Sequence, residues 1–460
     1  MKENQNLKNA QSVTSFLRTN WITVYFSTAI LLLVFGYGIA VGIFKWFPYQ
    51  LIADGATAAR DWTDNADQYA RIKPSKHLRP GKLRTGAGVT RHSPALASQG
   101  VTFLSGMWGE ALGIKLISME GEVLHEWSVS FNAIWPQAEH LDLQPHDWDT
   151  NIHGMWAQPN GDIIFNFEHN GLVSIDACSE VNWKQPIEAH HVVHRSEAGN
   201  LWVADDELQE KSNTRYPWLS PPFHEEFLVE LTPEGDIIRR LSLLSIFYNS
   251  GYEALLVESN EQIGMGGGEW QGAVKSSRQD ITHLNDIEIL TSEMADAFPM
   301  FEAGDIMLSL RNLDLIIVVD GKTELIKWSM TGPWLLQHDP DFMPNGKIMV
   351  FDNRARVRGK LGTHGSRILT VDPVTRDIRV AYQGNLDDIF FSSQMGKQQL
   401  LSNGNILIAD PDGGRAFEVS PDGEVVWEYI NRWSEDNVAV ITQALRVPKD
   451  YLNLSAASCN

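Results

Sequence analysis

From Gly100 to about Arg432, short apolar runs alternate with Gly, Asn, Asp and Pro turns. The runs are rich in β-branched and aromatic residues and recur at regular spacing between turn signals, which predicts strands rather than helices. A hairpin signal recurs: Gln158-Pro159-Asn160-Gly161-Asp162-Ile163, Glu197-Ala198-Gly199-Asn200-Leu201, Glu302-Ala303-Gly304-Asp305-Ile306, Pro344-Asn345-Gly346-Lys347-Ile348 and Ser402-Asn403-Gly404-Asn405-Ile406. Asn-Gly and similar pairs tolerate the positive φ that tight hairpin turns need. A second glycine turn leads outward at Gly121, Gly235 and Gly423. Two hairpins make a four-stranded sheet, and such sheets repeating every 40 to 50 residues or so suggest propeller blades. Five units are visible and Gly100 to Phe131 implies a sixth. The expected fold is all-β: a six-bladed β-propeller over residues 100–460, with seven blades as the alternative count. The first and last units should share a blade, because closure removes free edges.

Ser250 to Asp280 breaks this pattern and contains Gly264-Met265-Gly266-Gly267-Gly268. It reads as an insertion over one face. A phosphate loop would need Lys and Ser/Thr after the glycines, and Glu269-Trp270 follows instead.

The N-terminal pattern is different. Residues 1–20 are polar, with Lys2, Lys8 and Arg18, and Trp21 to Phe44 carries no charge. At about 1.5 Å per residue this run spans roughly 30 Å of hydrocarbon. A signal peptide's apolar core is shorter, about 7–15 residues. The reading is therefore a transmembrane helix over residues 21–46, preceding the propeller, with residues 1–20 cytoplasmic and the bulk of the chain outside. Residues 47–99 read as a membrane-proximal helix from Leu51 to Ala70, then an extended linker from Arg71 to Arg91.

The totals refine this picture. Of 460 residues, 43% are hydrophobic and 21% charged, so most of the chain should fold. A net charge of −21 excludes nucleic acid as an expected partner. Cys178 and Cys459 have no zinc or Cys-x-x-Cys spacing, and in an oxidising compartment they could pair.

The candidate chemistry lies in the repeat phase. Eight residues before the turn glycines Gly161, Gly199 and Gly346 stand His153, His191 and His338. Each begins its unit's first strand, which lines the axis in a propeller, so the three should converge at one mouth. His283 begins another unit, where Asp296 to Ala303 lengthens the turn, and Gly396 holds the place in the last unit. Seven residues after the turn glycines stand Glu168, Asp206, Arg311, Asn353 and Pro411. Alternation puts His283 and Asn285 on one face. Clustered imidazoles can bind zinc or copper. Alternatively, one can act as nucleophile while the others bind an anion. A guanidinium repels a metal ion, so Arg311 favours an anionic substrate.

At these residues the chain resembles the bacterial arylsulfotransferase family, whose members use no nucleotide sulfate donor. The resemblance runs from about Thr85 to Arg432. It is carried by His283-Leu284-Asn285-Asp286 with Ser309-Leu310-Arg311-Asn312, and by Gln337-His338-Asp339-Pro340 with Phe351-Asp352-Asn353. It implies a six-bladed propeller and a ping-pong transfer between a phenolic sulfate donor and a phenolic acceptor. It implies that His338 is the histidine that carries the sulfuryl group, and that His283, Asn285 and Arg311 bind its oxygens. His191, or its neighbour His190, would handle the phenolic proton. His153 and Asn353 join as substrate-binding groups by repeat phase. No cofactor and no metal are expected, and the bacterial inner membrane with the propeller in the periplasm is the implied location. Two other readings compete. One is a non-catalytic anchored propeller serving a membrane complex as scaffold or ligand-binding subunit, supported by the anchor and by sixteen tryptophans. The other is a metal- or quinone-dependent oxidoreductase.

Overall fold

The computed structural model describes the chain apart from residues 1, 45, 82–83, 218, 220, 257–279, 356–364, 386–387, 454–458 and 460. The glycine run at 264–268 lies outside the described residues. The described residues divide into two units, one ending at Tyr69 and the other beginning at Ala70.

In the first unit, Lys2–Phe44 is one helix. Its stretch Trp21–Phe44, 24 residues with mean hydropathy 2.1, is long and apolar enough to cross a membrane. Helices Tyr49–Asp64 and Ala66–Tyr69 follow, where one helix from Leu51 to Ala70 was expected.

The second unit is the six-bladed propeller. Blade one pairs Ile441–Val447 with Val101–Trp108, Ala111–Ile117 and Val123–Val129. Blade two runs Ile152–Ala157, Ile163–Phe167, Gly171–Ile175 and Val181–Gln185. Blade three runs His190–Arg195, Leu201–Gln209, Phe223–Leu231 and Ile237–Ser242. Blade four runs Leu284–Ile289, Ile306–Leu310, Leu315–Val319 and Ile326–Thr331. Blade five runs His338–Phe342, Ile348–Asp352, Arg367–Val371 and Ile378–Gln383. Blade six runs Lys397–Leu400, Ile406–Asp410, Arg415–Val419 and Val425–Ile430. All eight repeated turn glycines have positive φ, from +76° at Gly346 to +93° at Gly199, where any side chain would be strained. The longer turn of blade four holds a short helix, Ser292–Ala295.

The chain's end closes the ring, as the shared blade requires. Ile441–Val447 pairs with Val101–Trp108, and Ser105 Oγ meets Thr442 Oγ1 at 2.8 Å. Beyond it the tail crosses blade two. Tyr451 Oη donates to the Ala157 carbonyl at 2.7 Å, and Cys459 is disulfide-bonded to Cys178.

Two expectations change. The stretch Arg71–Arg91 is part of the fold: Leu78–Pro80 pairs with Asn437–Ala439, and Gly88–His92 adds a fifth strand to blade six. A covered edge cannot pair with another chain, which explains why a polar, proline-containing segment is held there. Several of the tryptophans counted above in support of a scaffold are blade-to-blade ties. Trp127 Nε1 donates to the Gly161 carbonyl, Trp183 to Pro233, Trp328 to Pro373 and Trp427 to Met119, at 2.9–3.1 Å. Each reaches from an outer strand to a turn of the following blade.

Trp427 crosses the closing seam between blades six and one. Trp427→Phe keeps the apolar ring but leaves the Met119 carbonyl without its donor, which should lower the unfolding free energy by about 1–3 kcal/mol. Denaturant titration checks this, and a change below about 0.5 kcal/mol would show that the seam does not depend on the bond.

Candidate active site

The first strands of the blades neighbour one another around the axis. In five of the six, the pairing with the second strand slips near the strand's start: between Ile152 and Met155, His190 and Val193, Leu284 and Asp286, His338 and Asp341, and Ile441 and Gln443. A bulge bends its strand and re-aims the side chains beside it. His191 and His283 also have positive φ, +57° and +53°. Non-glycine residues adopt that conformation only where surrounding structure enforces it. Blade six, with Gly396 at the matching place, has no such slip.

These bends gather the expected histidines around His191. Its ring centroid lies 4.1 Å from that of His153, 4.9 Å from His283, 5.0 Å from His190 and 6.1 Å from His338. The residues at the ends of the second strands join them. Glu168 Oε1 is 3.1 Å from His153 Nδ1, and Asn353 Oδ1 is 2.8 Å from His338 Nδ1. Arg311 follows blade four's second strand, and its backbone N–H donates to the His283 carbonyl at 3.1 Å.

His338 is held through one ring nitrogen and not through the other. Its Nδ1 faces two acceptors, Asn353 Oδ1 and the Leu336 carbonyl at 3.1 Å, so the proton sits on Nδ1. Nε2 then carries the lone pair, and it is buried with no hydrogen-bond partner among the described residues. Burial, then the Arg311 charge, push the imidazole pKa well below its usual value. His338 is therefore neutral beside a guanidinium. Asn353 is itself held, since its Nδ2 donates to the carbonyls of Ser392 and Met395.

The other groups divide by charge. His191 is also driven well below its usual pKa, by burial and then by the surrounding imidazoles. His283 Nδ1 lies 2.5 Å from Asp280 Oδ2. Burial alone would raise Asp280, but its bond to His283 outweighs that and lowers it. His283 stays partly exposed, which opens the group to solvent on that side. Asn285 donates Nδ2 to the Gln337 carbonyl at 2.8 Å and leaves Oδ1 without a partner among the described residues. From blade three, Glu226 binds the Thr282 hydroxyl and, at 2.6 Å, the Leu284 N–H, so it brackets His283 on both sides.

All eight expected residues thus lie in one connected group. His190 links it to further polar residues: Nδ1 is 2.8 Å from His191 Nδ1, and its ring stacks on His169 at 4.7 Å. Asp280, Glu226, His169, Glu188 and His224 were not expected there. Asp280 lies three residues before His283, at the end of the pattern-breaking insertion, and that proximity was the available signal. The others sit off the repeat phase. Along the channel a cavity of about 320 Å³ has Asp286, Glu288, Asp339 and Asp341 in its walls, with Lys397. Burial pushes Asp286, Glu288 and Asp341 above the usual carboxyl range, and Lys397 pairs with Asp339 at 2.7 Å.

The family model described as arylsulfotransferase (ASST) matches residues 154–432, more than half of the chain. No curated protein matches it. Among solved structures, the chain is similar to a protein of unknown function from Bacteroides caccae, at 13% identity over 75% of this chain and 98% of that one, with TM-score 0.45. It is similar to a virginiamycin B lyase from Staphylococcus aureus at 12% identity, over 63% and 73%, with TM-score 0.34. Hydrazine synthase from Kuenenia stuttgartiensis gives 10% identity, over 67% and 71%, with TM-score 0.37. At such scores these likenesses carry nothing about chemistry.

The His338 geometry makes a spectroscopic prediction. In nitrogen-15 spectra of histidine-labelled protein, His338 should show a neutral imidazole protonated at Nδ1 and should not titrate between about pH 8 and pH 5. Asn353→Leu should release the tautomer. A His338 signal titrating near its ordinary pKa would contradict the buried, neutral assignment.

Proposed function

The chain belongs to the arylsulfotransferase family, and from that premise we propose that it moves a sulfuryl group from a phenolic sulfate ester to a phenolic acceptor through a sulfo-histidine at His338. The observation that carries this reading is the unpartnered, neutral Nε2 of His338 beside Arg311 and the paired His283. In the first half-reaction the Nε2 lone pair forms the N–S bond while the S–O bond to the aryl group breaks and its electrons leave on the phenolate. In the second, the acceptor oxygen attacks sulfur, its proton passes to neutral His191, and the N–S electrons return to Nε2. The proton is then released to solvent. Arg311, His283 and the second N–H of Asn285 stabilise charge on the sulfuryl oxygens, the term that usually contributes most to such a site. His153, held by Glu168, lines the same pocket.

Desolvation explains why a neutral nucleophile is arranged beside a guanidinium. A protonated His338 could not attack, and burial beside Arg311 prevents protonation. Splitting the transfer into two displacements needs no cofactor. The apolar helix Trp21–Phe44 and the basic residues before it support a single-pass anchor, with the N-terminus cytoplasmic and the propeller in the bacterial periplasm. A disulfide between Cys178 and Cys459 fits an oxidising compartment.

With 4-nitrophenyl sulfate as donor and phenol as acceptor, nitrophenol release should depend on acceptor and vanish in His338→Ala. Donor without acceptor should add one sulfuryl group to the peptide containing His338, seen by mass spectrometry. Arg311→Met should lower kcat by about 10²–10³-fold. Undiminished transfer by His338→Ala would refute the mechanism. No transfer, together with stable co-purification of a membrane protein, would favour the scaffold reading.

A further inference from the structure

Beside the transfer group, between blades two and three, lies a second set of donors with no role in the scheme above. Asp206 Oδ1 is 3.2 Å from His169 Nδ1, and its Oδ2 is 2.6 Å from His224 Nδ1. One donor atom each from His169, His190 and Asp206 lie within 4.8 Å of one another, and the same holds for Glu188, Asp206 and His224. Glu188 and Asp206 also share a hydrogen bond, so two carboxyl groups meet here. An independent observation points into the group: His190 is 1% exposed, yet its Nε2 has no hydrogen-bond partner among the described residues.

We propose that this is a zinc-type divalent metal site, with His169, His190 through Nε2, and Asp206 through Oδ1 as ligands. Two ligands of a tetrahedral ion at about 2.1 Å lie roughly 3.4 Å apart, close to the present His169–Asp206 separation. His224 and Glu188 hold the Asp206 carboxylate, as outer-shell partners do for metal ligands. His169 has a side chain 43% exposed, so the fourth position opens to water. The ligands come from two blades, and the ion would clamp them together.

The site reaches the transfer group through one ring. With Nε2 on the metal, the His190 proton is on Nδ1, which faces His191 Nδ1 at 2.8 Å. The metal assignment itself does not depend on the transferase reading.

The test uses full-length protein in detergent, stripped with chelator and titrated with Co²⁺ and with Zn²⁺. One ion per chain is expected, with cobalt absorption bands of a nitrogen- and oxygen-ligated tetrahedral site. His169→Ala and Asp206→Asn should weaken binding by more than the ~10–100-fold typical of losing an outer-shell partner. His153→Ala should bind as the parent does. Circular dichroism verifies folding, and if Asp206→Asn is unfolded, His169→Ala decides, because its side chain is partly exposed. No uptake by the parent overturns the proposal. So does uptake that survives His169→Ala but is lost in His153→Ala, which would put the ion on the transfer histidines.

Discussion

Pairing of the last long strand with the first is the constraint on which the structure depends. Ile441–Val447 hydrogen-bonds to Val101–Trp108 and supplies the innermost strand of the blade the N-terminal part begins. Until that strand arrives, six sheets have no reason to face a common axis, and His153, His191, His283 and His338 belong to separate units. Once the ring is closed, inner strands are neighbours, and a bulge near the start of those in blades two to five brings four histidines to the same place. Chemistry spread over nearly two hundred residues is thereby concentrated by a backbone device repeated blade after blade.

Closure is reinforced at several levels. The indole ties run from one blade to the next, and Trp427 carries them across the seam. Arg446, on the closing strand, is buried against Glu418 of blade six at 3.1 Å. Breaking such a pair would leave a buried charge uncompensated, which costs more than the pair itself contributes. The outer edge of blade six is covered by Gly88–His92, and the tail is fastened to blade two by the disulfide.

Within the site, burial and charge act in opposite directions on neighbouring groups. His191 and His338 are desolvated, the latter beside a guanidinium, so both stay neutral. The carboxylates at the margin, Glu168, Asp206 and Asp280, are held below their usual pKa because each meets a histidine, although burial alone would raise them. Further along the channel Asp286 is pushed up by burial to about 7 against the pull of Lys397. The channel is therefore polarised, with anion-attracting groups at one end and carboxyl groups beyond.

Much of this was legible in the order of residues, because turns and alternation are local. A glycine with positive φ must follow its turn whatever the blade does, so the hairpins, the blade count and the shared phase of His153, His191 and His338 could be read without coordinates. The positions seven after the turn glycines were legible for the same reason, and Glu168 and Asn353 do stand beside histidines. Local pattern carries no information about partners distant in the chain. Asp280 on His283, Glu226 bracketing His283 from another blade, and Asp206 between His169 and His224 arise only when curved sheets meet. The same holds for Gly88–His92, whose polar sequence reads as linker because its partner strand lies more than three hundred residues away. Sequence by itself determined the repeat and the residue types at its phase. Tertiary structure decided which nitrogen of each imidazole is free, because that depends on acceptors supplied by other strands.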